Sequence, residues 1–229
     1  MGDERDGTGH VPLPGAGGEP GYEGFAEYDR RQERIGRQVV AAFALGLLFG
    51  VFGVVATHVL PIGVTAVFNP YGYFLLAVYV GGTAAGIGWA ALCSLLAALA
   101  PLVASMAGTL LFEGFDTRAW GGGSAIETNV LLVAIFGYGL AAYVARRDGI
   151  AGDVTAGLLG GVLLADAADK AAPGWVEYVP GFWLWPAAVV ALLVMATIAL
   201  LRGNTAGRAR ALASALVIPA AVILLAPPW

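Results

Sequence analysis

Long apolar runs alternate along this chain with short clusters of Gly, Pro and charge, and the run lengths decide its class. From Gln38 to Phe112 there is no Asp, Glu, Lys or Arg, a stretch of 75 residues. A buried helix of a soluble protein needs no such length, whereas a bilayer crossing takes about 20 apolar residues. In hydrocarbon every backbone polar group must bond internally, so runs of this kind read as helices. The pattern predicts an all-α polytopic membrane protein.

The first span is predicted over Val39–Leu60, ended by Pro61, with a short loop reaching "NPYG" behind it. The run Tyr71–Phe112 holds 42 residues, about 60 Å of helix and twice the hydrocarbon thickness. It must fold back on itself. "GGTAAGIG" (81–88) supplies a flexible turn, giving spans near 71–87 and 89–112, the latter kinked at Pro101. A fourth span, Ile126–Ala145, stops at Arg146-Arg147. Gly181–Leu201 opens with "FWLW" and stops at Arg202, and Ala211–Ala226 carries Pro219.

Between the fourth span and "FWLW" lies "GIAGDVTAGLLGGVLLADAAD" (149–169), glycine-rich and acidic at both ends. Basic residues mark cytoplasmic loops. With the arginine-rich N-terminal flank inside, a crossing by 149–169 puts Arg146, Arg147, Arg202, Arg208 and Arg210 inside too. Without that crossing the last three move outside. The expectation is therefore a bundle of seven transmembrane helices, N-terminus cytoplasmic and C-terminus outside, in the cell membrane. Residues 1–22 read as a disordered polar tail, 23–38 as a juxtamembrane basic segment, and 39–229 as the transmembrane domain.

Composition agrees and narrows the chemistry. Hydrophobic residues make up 59% and charged ones 12%, about half the charged share of a soluble domain. No basic surface suggests nucleic acid. The single Cys93 excludes an internal disulfide or a CxxC site, and His10 and His58 are too few for a bis-histidine haem or a histidine-rich zinc site. Lys170, the only lysine, falls at a span boundary, where a retinal Schiff base would need one inside a helix. Ser124 lacks a G-x-S-x-G turn, "GIAGD" (149–153) misses the GxGD pattern of membrane aspartyl proteases by one position, and no GxxxxGK[ST] loop occurs. The expectation is a protein that is not an enzyme and carries no cofactor or metal.

Two features bear on function. Small residues recur every fourth position: Gly46 and Gly50 in the first span, Gly157 and Gly161 in the fifth. Such ridges let backbones approach closely, either within the bundle or against a second copy or another subunit of a membrane complex. Carboxylates in spans commonly mark ion or solute paths. That makes Asp153, Asp166 and Asp169 path candidates, with Glu127 and Asn129 at the start of the fourth span. Asp166 also precedes Lys170 by four residues, a pairing distance on a helix. Finally, "GLLFGV" (46–51) recurs as "GLLGGV" (157–162), and Pro101 and Pro219 occupy the third and last spans, which hints at two parallel halves in a 3+1+3 plan. The function expected is small-solute or ion permeation, with a non-catalytic membrane subunit or scaffold as the alternative. The partners expected are the lipid bilayer and other membrane chains.

Overall fold

A computed structural model describes residues 22–112, 125–175 and 178–225, the side chains of 22–28, 31, 105, 109–112 and 125–128 excepted. The polar tail lies outside the described residues, and so does the acidic stretch after Phe112. Among the described residues there are eight α-helices and no strand: α1 Tyr22–Val59, α2 Ile62–Phe68, α3 Tyr71–Thr83, α4 Ile87–Phe112, α5 Ala125–Ala145, α6 Ile150–Ala171, α7 Trp185–Leu201 and α8 Thr205–Leu225. The chain divides at Arg34/Ile35. The described part of the first unit is the charged start of α1, where Asp29, Arg30, Glu33 and Arg34 are exposed. The second unit is the helical bundle.

Most helix ends fall near where the apolar pattern predicts them, and three differ. The segment after Pro61, expected as a loop, is the helix α2. Pro61 sits at its N-cap, where a missing N–H goes unfelt, and its carbonyl accepts the amides of Val64 and Thr65 at 2.9 and 3.2 Å. The helix α7 starts at Trp185 rather than Gly181, because Gly181 and Leu184 have φ of 82° and 78°, outside the helical region. The helix α8 starts at Thr205 rather than Ala211. Asn204 Oδ1 accepts the Gly207 amide at 2.5 Å and caps it, so Arg208 and Arg210 lie inside the helix and not ahead of it.

Five segments are long and apolar enough to cross a membrane: Gln32–Val59, Ile62–Thr83, Ile87–Gly108, Ile150–Ala171 and Thr205–Leu225. The second joins α2 to α3, since the 13 residues of α3 rise only about 20 Å. Asn129–Ala145 and Trp185–Leu201 are shorter apolar helices.

Size sorts the side chains. Ala77, Ala90, Ala100, Ala142 and Ala156 are fully buried, while Leu200, Leu224 and Leu225 are more than 80% exposed. A water-soluble protein does not show this much bulky apolar surface. In lipid it costs nothing, and small residues are what bring helices close.

The closest approaches are at glycines. A side-chain carbon on Gly46 would meet Ala97, Ala100 and Pro101 of α4, and one on Gly50 would meet Pro101 and Ala104. On α6, Gly157 faces Ala211, Ser214 and Ala215 of α8, and Gly161 faces Ala215 and Ile218. The two contacts follow one spacing: the partners run 97, 100, 101, 104 in α4 and 211, 214, 215, 218 in α8. Each ridge thus packs on a later helix with the same spacing, α1 on α4 and α6 on α8.

A third approach joins α3 to α5, where Gly81 lies against the backbone of Gly139. Ser94 of α4 reaches the same spot, and its Oγ is buried with no hydrogen-bond partner among the described residues. Removing an unpartnered buried hydroxyl strands nothing. Ser94→Ala is therefore expected to leave the melting temperature in detergent unchanged or slightly raised; a clear drop would mean that the hydroxyl is bonded.

Candidate functional site

The charged side chains of the bundle collect at the two ends of α6. At its start, Gly149 (φ 107°) turns the chain sharply out of α5, and Asp153 follows in the first turn. Two further glycines make room. A side chain on Gly152 would collide with Arg202, whose Nη2 lies 2.6 Å from where its first carbon would be; one on Gly207 would come within 2.8 Å of Asp153 Oδ1.

Arg202, 5% exposed and just past the end of α7, commits every N–H of its guanidinium. Its Nε donates to Asp153 Oδ1 at 2.5 Å, and Nη2 pairs with the same oxygen and donates to Gly149 O at 2.9 Å. Its Nη1 donates to Ala145 O at 3.0 Å and Arg147 O at 2.9 Å. One side chain thus ties the end of α5, the start of α6 and the end of α7. Arg210 of α8 closes the other side, with Nε and Nη2 each 2.6 Å from Asp153 Oδ2. Asp153 is 2% exposed, so its charge is neutralised inside the protein by two bonded guanidiniums, as a buried carboxylate requires.

The neighbouring arginines cap helices. Arg146 Nη1 donates to Gly82 O at the end of α3 (3.0 Å). Arg208 Nε donates to Arg202 O at 2.8 Å, and its Nη2 to Ala199 O at 3.2 Å, at the end of α7. Carbonyls at a helix C-terminus lack partners and carry the negative end of the dipole, which suits cations. The helices α3, α5 and α7 therefore end together, where α6 and α8 begin. A cleft of about 200 Å3 opens there, lined by Asp148, Asp153, Arg202, Asn204 and Arg210 among others.

No protein-family model, curated protein or solved structure matches the chain. What it does must be argued from its own side chains.

At the far end of α6, Lys170 Nζ lies 2.7 and 2.6 Å from the two oxygens of Asp166. The hydroxyl of Tyr71, at the start of α3, donates to Asp166 Oδ2. Lys170 also sits over the Tyr71 ring, 5.4 Å from its centre, an attraction that is stronger out of water. Thirteen residues separate Asp153 from Asp166, about 20 Å of helix, so the two clusters are independent.

The expected path residues thus divide. Asp153 and Asp166 are each locked in an ion pair. Asp169 is half-buried and belongs to neither cluster, and Asn129 is exposed. The side chain of Glu127 lies outside the described residues. His58 is exposed, with Nδ1 2.8 Å from Val54 O. Among the described residues no three His, Cys, Asp or Glu side chains are grouped to hold a metal ion. Sequence reasoning treated Arg202 and Arg210 as orientation markers only and passed over Tyr71. The available signal was a carboxylate in the first turn of one span and arginines flanking two others at the same predicted end.

Proposed function

We propose a seven-span integral membrane protein, N-terminus cytoplasmic and C-terminus outside, whose two parallel three-helix halves flank α5 and conduct a small solute or ion. The observation that carries this reading is the repeated interface. Gly46 and Gly50 meet α4 as Gly157 and Gly161 meet α8, and parallel structural repeats are a recurring transporter plan. The two clusters on α6 then act as clasps at opposite faces of the membrane. The outer clasp, through Tyr71 and Asp166, joins the two halves; the inner one fastens the second half to α5; neither carboxylate lines the path.

A non-catalytic subunit or scaffold is the second reading. It is favoured by Asp153 and Asp166 having both oxygens engaged within the chain, which leaves neither to coordinate a solute. Recovery from gentle detergent separates the two. The permeation reading expects the tagged protein alone, and flux of some tested ion or sugar in liposomes that changes severalfold when Asp166→Asn loosens the outer clasp. A stoichiometric partner chain and no flux would transfer the proposal to a subunit.

Topology has its own test. With Cys93→Ala as background, Gly174→Cys should react with an impermeant thiol reagent in intact cells. Protection there would overturn the seven-span arrangement.

A further inference from the structure

We infer that the cleft at the start of α6 and α8 binds a phosphate ester, presented at the cytoplasmic surface by an anionic phospholipid headgroup. Arg210 carries the argument. Asp153 holds it in place through Nε and Nη2, so the planar guanidinium cannot swing away. Its Nη1 has no partner among the described residues, and the side chain is 51% exposed on the cleft. A guanidinium fixed along one edge and open along the other is a preorganised anion receptor, with little entropy left to lose on binding. Asn204 is fixed in the same way. Its Oδ1 is taken by the Gly207 amide, which leaves the Nδ2 donor without a partner among the described residues, beside the same cleft.

Charge points the same way. Five arginines (146, 147, 202, 208 and 210) gather where α5 and α7 end and α6 and α8 begin, against two aspartates, Asp148 and Asp153. Asp153 is spent on Arg202 and Arg210. Asp148 lines the cleft, is exposed and has no ion-pair partner among the described residues, so it opposes an anion there. The setting suits a lipid phosphate in particular. Helix ends and arginines mark the headgroup level, and clustered basic residues there bind anionic lipids. The volume of about 200 Å3 admits a phosphate with a small substituent and excludes acyl chains, which would lie outside along α8.

The lipid source rests on the topology proposed above; the phosphate site does not. Binding is read by native mass spectrometry of the full chain in detergent, with three probes: phosphatidylglycerol, phosphatidylcholine and inorganic phosphate. The wild type should retain phosphatidylglycerol at least tenfold better than phosphatidylcholine. Arg210→Gln should abolish most of that preference, while Arg37→Gln, at a basic position outside the cleft, should keep it. Asp148→Asn should tighten binding about threefold, a gain that misfolding cannot imitate. Equal losses in Arg210→Gln and Arg37→Gln, or no gain in Asp148→Asn, would overturn the site. Inorganic phosphate binding as tightly as the lipid, with the same response to Arg210→Gln, would keep the phosphate site and overturn the lipid source. Labelling of Gly203→Cys from the outside of intact cells would reject the cytoplasmic placement alone.

Discussion

Arg202→Met should be among the most damaging single substitutions in the bundle, at about 3–5 kcal/mol, as is usual when one partner of a buried ion pair is removed. Methionine nearly fills the same volume, so the loss would not be a cavity effect. It has two parts. Asp153 is left with Arg210 alone, and the carbonyls of Ala145 and Arg147 lose the guanidinium donor together, while that of Gly149 keeps only the Asp153 amide. A double-mutant cycle separates them. Asp153→Asn in the Arg202→Met background should recover the electrostatic share and leave the carbonyl share, both read by thermal unfolding in detergent. If Arg202→Met alone shifted the midpoint by less than the spread of surface substitutions, this clasp would contribute nothing to stability.

Gly81→Ala should follow closely, at about 3 kcal/mol, the upper end of the cost of overpacking. The added carbon would lie 2.5 Å from the carbonyl carbon of Gly139 and 2.8 Å from its Cα. Backbone in a packed helix has no rotamer with which to step aside. The neighbouring position is the control, because an added carbon at Gly82 meets only Leu201 Cδ2, at an ordinary 3.6 Å. Gly82→Ala should therefore be neutral, or stabilising by up to about 1 kcal/mol from helix propensity. Equal tolerance of both substitutions would mean that α3 and α5 stand further apart than described.

The helices were largely legible in the sequence because a lipid solvent leaves one dominant signal, the length of an apolar run. The turn between α3 and α4 falls inside the glycine-rich 81–88, and 150–171 is a single helix despite its carboxylates. The boundaries that were missed depend on local bonding that hydropathy cannot see: the Pro61 cap of α2, the positive φ at Leu184, and the Asn204 cap that draws two arginines into α8. Asp166 with Lys170 could be read because the pair lies on one helix at a fixed spacing. Asp153 with Arg202 and Arg210 could not, since 49 and 57 residues separate the partners and no periodicity reports which helix ends meet. The glycine ridges gave the positions of close contact but not the helices they contact.

The Arg202 clasp has a consequence for the order in which the chain is made. The carbonyl of Ala145 waits 57 residues for its donor, and the carboxylate of Asp153 waits 49 for the first of its two cations. While α5 and α6 leave the ribosome, neither group has its final partner, and both must stay in contact with water or headgroups. The hairpin of α5 and α6 therefore cannot reach its final packing until α7 has been synthesised and has delivered Arg202. A ribosome paused between residues 171 and 202 would hold this part of the protein in an unfinished, more hydrated form.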